Sequence, residues 1–166
     1  MITKYREARI GDLSEIELLI RQAYKPIADL LPRPPGALVD THYKLEQTLK
    51  SKQLFIVYNE EDKLIGTFSL SQTETNIIKI FHFAIKPEFQ KQGIGSWLIE
   101  EIIRYLKTSS LDITRIELEI YAKVPQLKYF YEKFGFKEKE RKYIRGVEIV
   151  VLVRDLKPVQ SSFFHE

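Results

Sequence analysis

The stretch Gln90-Lys91-Gln92-Gly93-Ile94-Gly95-Ser96 decides the fold of this chain. It follows an apolar, strand-like run at residues 77–85 and precedes a helix-like run at residues 97–106. A glycine loop between a strand and a helix can hold a phosphate. The first backbone N–H groups of the helix have no partner, and the helix dipole adds partial positive charge there. The glycines leave the backbone open to a ligand, so the sequence predicts that this loop binds a pyrophosphate or a similar anion.

Two common phosphate-binding patterns do not match this loop. The dinucleotide pattern G-x-G-x-x-G requires a third small residue where the chain has Leu98. The P-loop pattern requires a Gly-Lys-Ser/Thr triplet, which the chain lacks. The pattern that does match is Q/R-x-x-G-x-G/A, present as Gln90-x-x-Gly93-x-Gly95. A loop that only caps a helix would show the same glycines, so a second motif has to decide.

A second motif lies at residues 124–136, with the sequence VPQLKYFYEKFGF. It is similar to the pattern N-x-x-A-x-x-[LF]-Y-x-x-x-G-F, which it matches at Tyr131, Gly135 and Phe136. Val124 stands where the pattern has Asn, and Leu127 stands where it has Ala. The two motifs together are much more specific than either one alone.

With these motifs in this order, the chain resembles the GCN5-related N-acetyltransferases, the GNAT superfamily, over residues 5–156. The resemblance implies an α/β (mixed α+β) fold with the order β-α-α-β-β-β-α-β-α-β-β. The expected fold is a twisted mixed sheet flanked by helices on both faces, with two central strands that splay apart. The resemblance also implies acetyl-CoA as cosubstrate and an amine as acceptor. In this family the Asn that Val124 replaces contacts the pantetheine arm, so that hydrogen bond is not expected here.

The resemblance assigns cofactor binding to two neighbouring segments. The loop residues are Gln90, Lys91, Gln92, Gly93, Ile94, Gly95 and Ser96, and the strand residues are Phe83, Ala84 and Ile85. The strand is expected to offer backbone groups to the pantetheine. The Ile85 N–H is expected to face the thioester carbonyl oxygen and to stabilise the negative charge that develops on it.

Three residues are candidates for proton transfer. Tyr131 is the candidate partner of the leaving thiolate. Its unperturbed pKa of about 10, against about 8.5 for a thiol, favours a hydrogen bond to sulfur over early proton transfer. Glu119 and His82 are alternative candidates for the base that takes the amine proton. Each also has a structural alternative: core packing for Tyr131 and His82, and an ion pair with Lys123 or Arg115 for Glu119.

The remaining sequence predicts the elements around these motifs. Strands are predicted at residues 2–8, 54–58, 64–71, 115–121, 137–144 and 148–154, and helices from about residue 12 to 24 and at 39–51. Four prolines and Gly36 predict that residues 25–40 form an extended loop. This loop and the turn at Arg145-Gly146 are expected to frame the acceptor. The candidate contacts there are Tyr24, Arg33, Tyr43 and Tyr143.

The composition is that of one globular domain. The chain has 166 residues, of which 44% are hydrophobic and 30% charged, and its net charge of +3 does not favour nucleic-acid binding. It contains no cysteine, which excludes disulfides and an acyl-cysteine intermediate, and it has no zinc-type ligand spacing, so no metal is expected. We predict a single domain over residues 1–156 and a C-terminal tail at residues 157–166.

The predicted function is a cytoplasmic N-acetyltransferase that transfers the acetyl group directly in a ternary complex. No run approaches about 18 apolar residues, so no membrane association is expected. One alternative is a non-catalytic CoA-binding or regulatory module of the same fold, which the departures at Val124 and Leu127 favour. Another is an interaction protein that uses the sheet edge and leaves the loop empty. The resemblance also allows a homodimer formed through the closing strands.

Overall fold

The computed structural model describes residues 3–156 as one mixed sheet with helices on both faces. The predicted tail at residues 157–166, and residue 2 of the predicted first strand, lie outside the described residues. The elements are β1 (Lys4–Glu7), α1 (Leu13–Ala28), α2 (Thr41–Lys50), β2 (Leu54–Tyr58), β3 (Leu64–Glu74), β4 (Ile77–Ile85), α3 (Ile94–Thr108), β5 (Arg115–Tyr121), α4 (Pro125–Glu132), β6 (Lys137–Ile144) and β7 (Val147–Asp155). The predicted element order and fold class are confirmed.

The seven strands form one sheet in the order β1-β2-β3-β4-β5-β7-β6. Neighbouring strands are antiparallel except for β4 and β5, which run parallel and pair only between residues 77–79 and 115–117. Both strands continue beyond this pairing, to Ile85 and Tyr121. The predicted splay is therefore present. We call the opening between residues 80–85 and 118–121 the gap.

Helices cover both faces of the sheet because each presents an apolar stripe to it. The buried residues of α3 are Ile94, Leu98, Ile99, Ile102, Ile103 and Leu106, which recur at helical spacing. They pack with β4, β5 and β7 in one core cluster, whereas α1 and α2 pack with β2 in a second cluster. Full burial of each such aliphatic side chain contributes about 1.5–3 kcal/mol. The gap consequently lies between two helical layers.

The prediction that residues 25–28 belong to a loop is wrong, because α1 continues through Pro26 to Ala28. A proline in a helix removes one backbone N–H donor and clashes with the preceding turn. Here it lies in the last turn, and the N–H of Asp29 still donates to Lys25 O at 3.1 Å. The segment that follows, residues 29–40, contains no α-helix or strand and one short 3-10 turn at Gly36–Leu38.

Two other helix bounds differ from the sequence prediction. The sequence predicts that the helix after the glycine loop begins at residue 97, whereas α3 begins at Ile94, directly after Gly93. The glycine loop is therefore shorter than predicted. α4 covers only Pro125–Glu132 of the second motif. Gly135 takes a φ of +89°, which favours glycine, and its N–H donates to Glu132 O at 3.1 Å. The second motif thus includes a helix, its glycine terminator and the entry to β6.

Candidate active site

The glycine loop turns the chain from β4 into α3. Gly93 takes a φ of +80° at the start of α3, and Lys91 takes +62°. No atom outside the adjoining chain lies within 4 Å of the place where a Gly93 side chain would begin, so a ligand can approach the backbone there. The first N–H groups of α3 lack acceptors inside the helix. The loop therefore offers hydrogen-bond donors to a phosphate.

Most of the predicted loop residues line one large cavity of about 1090 Å³. Those residues are Gln90, Lys91, Gly93, Gly95 and Ser96, and we call this part of the cavity the loop end. Gln92 and Ile94 do not line it. The side-chain amide of Gln92 donates to Glu88 O at 3.2 Å, and Ile94 is buried in the core. Their side chains shape the loop instead of facing a ligand.

The cavity continues from the loop end into the gap, where Phe83, Ala84 and Ile85 line it. The N–H of Lys86 donates to Ile65 O at 2.8 Å, toward β3. Because successive N–H groups of a strand point to opposite sides, the Ile85 N–H points into the gap. On the same side, Gln90 Nε2 donates to Ile85 O at 2.9 Å and ties the loop to the end of β4.

A bulge in β4 places His82 in the cavity wall. Ser69 pairs with Phe81 whereas Thr67 pairs with Ala84, so two residues of β4 face one residue of β3. His82 takes a φ of +52°, and its Nδ1 lies 3.3 Å from Ser69 Oγ. Bulges re-aim side chains next to functional sites. Here the bulge turns a buried imidazole toward the gap.

Tyr131 of α4 is both a core residue and a cavity residue. It is 7% exposed, and its ring makes edge contacts with Phe83, Phe130 and Phe136 at centroid distances of 6.2, 5.0 and 5.7 Å. It also lines the cavity. Burial raises the pKa of its phenol, so the neutral phenol persists at physiological pH and can donate a hydrogen bond. The packing role and the predicted catalytic role are therefore compatible.

Glu119 pairs with two lysines from other strands instead of with Lys123 or Arg115. Its Oε1 lies 2.7 Å from Lys79 Nζ of β4, and its Oε2 lies 2.8 Å from Lys142 Nζ of β6. Burial alone would raise the pKa of this carboxyl, but the two lysines hold it below its ordinary value. A carboxylate with a low pKa and two cationic partners is a weak proton acceptor.

His82 makes stability depend on pH. Burial and the charge of Lys44 lower its pKa from 6.5 to about 4. Between these values the unfolded chain binds a proton that the folded chain does not. Stability is therefore full above pH 6.5 and falls as the pH drops toward 4, by roughly 2–3 kcal/mol from this group alone. We expect His82→Gln to remove most of this acid-induced loss.

Urea unfolding at pH 7 and pH 4.5 measures the loss in wild type and variant. The matched control is His42→Gln, because His42 is exposed and pairs with Glu17 and Glu46, which raise its pKa instead. That control should keep the acid-induced loss. Equal losses in wild type and His82→Gln would contradict the buried neutral imidazole.

Opposite the loop end, the cavity reaches α1, α2 and residues 29–40. We call this part, lined by Tyr24, Gly36, Lys44 and Tyr121, the α1–α2 end. Tyr24 Oη donates to Phe83 O at 3.3 Å, and Lys44 Nζ donates to Gly36 O at 2.8 Å. Burial and the charge of Glu119 raise the pKa of Tyr121 to about 12, so this phenol also stays neutral.

Only some of the residues predicted to frame this end line the cavity. Tyr24 and Tyr43 line the cavity, whereas Arg33 and Tyr143 do not. Arg145 does not line the cavity either, but its Nη2 lies 3.7 Å from the position that a Cβ on Gly36, a lining residue, would occupy. The turn between β6 and β7 and the segment at residues 29–40 thus meet at Gly36.

Several cavity residues belong to no motif and were not predicted. They include Lys44, Thr48, Lys79 and Tyr121. Phe130 and Lys133 of the second motif also line the cavity without a predicted site role, as do Val124 and Leu127. One signal was available for Tyr121, because strand alternation places it on the same face as Glu119. Lys44 and Thr48 are four residues apart on α2 and share a helix face, but nothing in the sequence points that face at the gap.

Two kinds of site are not found in the part of the chain that the structure describes. No three or more His, Asp or Glu side chains there come close enough together to hold a metal ion. Across residues 3–156, no helix has the length and apolar character needed to cross a membrane.

Comparison with known sequences gives one family and several relatives. The model of the acetyltransferase (GNAT) domain matches residues 37–151. A [ribosomal protein bS18]-alanine N-acetyltransferase of Salmonella typhimurium is 30% identical over 77 residues, which cover 46% of this chain and 51% of that enzyme. The match thus spans about half the length of that relative. An S-(2-succino)cysteine N-acetyltransferase of Bacillus subtilis is 27% identical over 82% of this chain and 85% of its own length.

Comparison with solved structures shows that N-acetyltransferases of known structure share this fold. Spermidine N-acetyltransferase of Vibrio cholerae, solved in complex with CoA and spermine, superimposes with a TM-score of 0.72 at 20% identity. The alignment covers 92% of this chain and 95% of that protein. At this identity the likeness establishes the fold and not the acceptor.

Proposed function

The chain belongs to the GNAT acetyltransferase family, and we propose that it transfers an acetyl group from acetyl-CoA to a primary amine, directly and in a ternary complex. The predicted family, enzyme class and cosubstrate are confirmed at the level of the family. The observation that carries the proposal is that one continuous cavity joins the loop end, the gap and the α1–α2 end. One opening thus offers places for the donor, the reacting atoms and the acceptor.

The loop end has the chemistry that the pyrophosphate of acetyl-CoA needs. The free N–H groups at the start of α3 and the open backbone at Gly93 suit a phosphate. Lys91 and Lys133 also line the cavity, and neither forms an ion pair with an acidic side chain within residues 3–156. Without the Asn of the family pattern, Val124 and Leu127 offer an apolar wall for the pantetheine arm.

The residues around the gap suit acyl transfer. Acetyl-CoA supplies a thioester whose carbonyl carbon is attacked by the amine, so that a C–N bond forms and the C–S bond breaks. In the proposed arrangement, the Ile85 N–H donates to the carbonyl oxygen as negative charge develops on it. Tyr131 donates a hydrogen bond to the sulfur as it becomes a thiolate. The raised pKa of Tyr131 favours this hydrogen bond over full proton transfer.

The amine must lose a proton, and neither predicted base is strongly basic. Glu119 is held by two lysines, and the pKa of His82 is lowered to about 4. We propose that the acceptor ammonium loses its proton to water, helped by Lys44 and Lys79. Like charges disfavour the protonated amine and so lower its pKa. The catalytic roles of Glu119 and His82 remain predictions.

Thiol release tests this function, since a chain without cysteine gives no background in such an assay. We expect release only when acetyl-CoA and an amine are both present, with a rate that rises with pH toward the pKa of the acceptor amine. Glu119→Gln should keep this pH dependence, although the loss of two ion pairs should lower stability. Loss of activity at every pH in a folded Glu119→Gln protein would instead identify Glu119 as the base.

The same assay separates the enzyme from the non-catalytic CoA-binding module, which would bind acetyl-CoA and release no thiol with any amine. The names of the relatives and the solved neighbour indicate amine acceptors of different kinds: an alanine of a ribosomal protein, S-(2-succino)cysteine and spermidine. We propose for this chain a cytoplasmic enzyme with no nucleic-acid or membrane partner, which cell fractionation tests. A homodimer remains a prediction, and sedimentation at micromolar concentration tests it.

A further inference from the structure

The charges around the gap and the α1–α2 end are mostly positive. Glu119 is the one carboxylate among the cavity-lining residues that the structure describes, and Lys79 and Lys142 hold it at 2.7 and 2.8 Å. Lys44 lines the cavity as well, and His82 stays neutral above about pH 5. A cationic acceptor therefore meets no unpaired anion in this lining.

Two cations converge on Gly36 at the α1–α2 end. Lys44 Nζ donates to Gly36 O at 2.8 Å, and Arg145 Nη2 lies 3.7 Å from the place of a Gly36 Cβ. Neither forms an ion pair with a carboxylate in residues 3–156, although salt bridges are frequent elsewhere on the sheet. Lys44 is half-buried, so its charge is less screened than that of a fully exposed lysine.

The cavity lining places this pair relative to the gap. Lys44 and Gly36 line the same cavity as His82 of β4 and Tyr121 of β5. Arg145 is not a lining residue, but its guanidinium lies next to Gly36. A negative group held by the two cations would therefore lie close to the place where the amine must react.

We propose that the acceptor is a small amine that carries a carboxylate, held by Lys44 and Arg145 with its amino group directed into the gap. An amino acid or an amino-acid derivative is the simplest compound of this class. This inference rests on the proposed acetyl transfer and specifies its substrate class. A polyamine does not fit, because its other ammonium groups would lie among cations.

The contact at Gly36 also favours a small acceptor over a protein segment. The segment at residues 29–40 and the turn between β6 and β7 approach each other there, and Gly36 lines the cavity. We infer that this contact limits the space beside the acceptor position. An extended peptide needs an open groove at the same place.

Matched acceptors test the inference with acetyl-CoA held constant. The panel is the set of common L-amino acids, the amide of each, and spermidine. We expect at least one amino acid to be acetylated with a kcat/KM about 10-fold or more above that of its own amide, since the amide cannot pair with two cations. Amides or spermidine used as well as, or better than, every acid would overturn the inference while leaving the acetyltransferase function intact.

Substitutions at Lys44 and Arg145 test whether these two residues cause the preference for the acid over its amide. Lys44→Met should lower kcat/KM for the preferred acid by about 10-fold or more beyond any loss for its amide, since only the acid loses a carboxylate partner. Arg145→Gln, in an exposed turn, is the second variant in case the loss of the Lys44–Gly36 contact disturbs folding. Lys50→Met, at the end of the same helix and away from the cavity, is the control and should change neither rate. Equal losses for acid and amide in both Lys44→Met and Arg145→Gln would refute a carboxylate contact.

Binding gives an independent readout that does not need turnover. Calorimetry of the CoA-loaded protein should detect the N-acetylated amino acids and not the N-acetylated amides, and Lys44→Met should abolish the difference. No difference between the two sets of products overturns the inference. Failure of the proposed function is a different result: no melting shift with acetyl-CoA, or no thiol release with any amine.

Discussion

Replacing Gly93 with valine is expected to lower the affinity for acetyl-CoA by roughly 10- to 100-fold, which corresponds to losing about 1.5–3 kcal/mol of hydrogen bonding to a charged group. Gly93 has a φ of +80° and opens onto empty space, so the backbone is accessible and its conformation favours glycine. A β-branched side chain there would strain the loop and stand between the α3 N–H groups and the phosphates. Calorimetric titration with acetyl-CoA measures the effect.

Gly146 provides a matched control for the strain. It has a φ of +77° in the turn between β6 and β7, and no atom lies within 4 Å of the position that a Cβ would occupy there. Gly146→Val should therefore destabilise the fold by a similar amount, about 1–2 kcal/mol, and lower the melting temperature by a few degrees. Its affinity for acetyl-CoA should remain that of the wild type. If both variants bound acetyl-CoA equally well, the loop would be a helix cap and not a phosphate site.

Tyr131→Phe is expected to lower kcat by roughly 100-fold, because it removes the proposed hydrogen bond to the leaving sulfur while keeping the ring. The packing against Phe83, Phe130 and Phe136 uses ring faces and edges, which phenylalanine retains. The dissociation constant of acetyl-CoA should therefore change little. Single-turnover rates and calorimetric affinities measured on the same protein separate the two quantities.

Tyr129→Phe is the control for this substitution. Tyr129 lies on the same helix but is 65% exposed and does not line the cavity, so the variant should retain full turnover. A loss of acetyl-CoA affinity in Tyr131→Phe, with kcat unchanged, would assign the phenol to binding. Unchanged kcat and affinity would leave Tyr131 with a packing role alone.

The features that the sequence determined are local ones. The glycine loop, the second motif and the alternation of residues 115–121 each depend on the chemistry of neighbouring residues, and the sequence alone identified the family and the element order. Local chemistry also explains where prediction failed. Pro26 would break a helix interior, but it lies in the last turn of α1, and only the structure shows that the chain is still helical there.

The arrangement of the acceptor position depended on contacts between residues far apart in the chain. Lys79 and Lys142 reach Glu119 from two other strands, and Lys44 and Arg145 meet at Gly36 from α2 and the last turn. No spacing rule predicts such pairs, because they are set by strand register, the bulge at His82 and the early end of β4–β5 pairing. The sequence by itself determined the donor, since a phosphate loop is one contiguous segment. Only the tertiary structure decided the charge that the acceptor meets, since that charge comes from strands and helices that folding brings together.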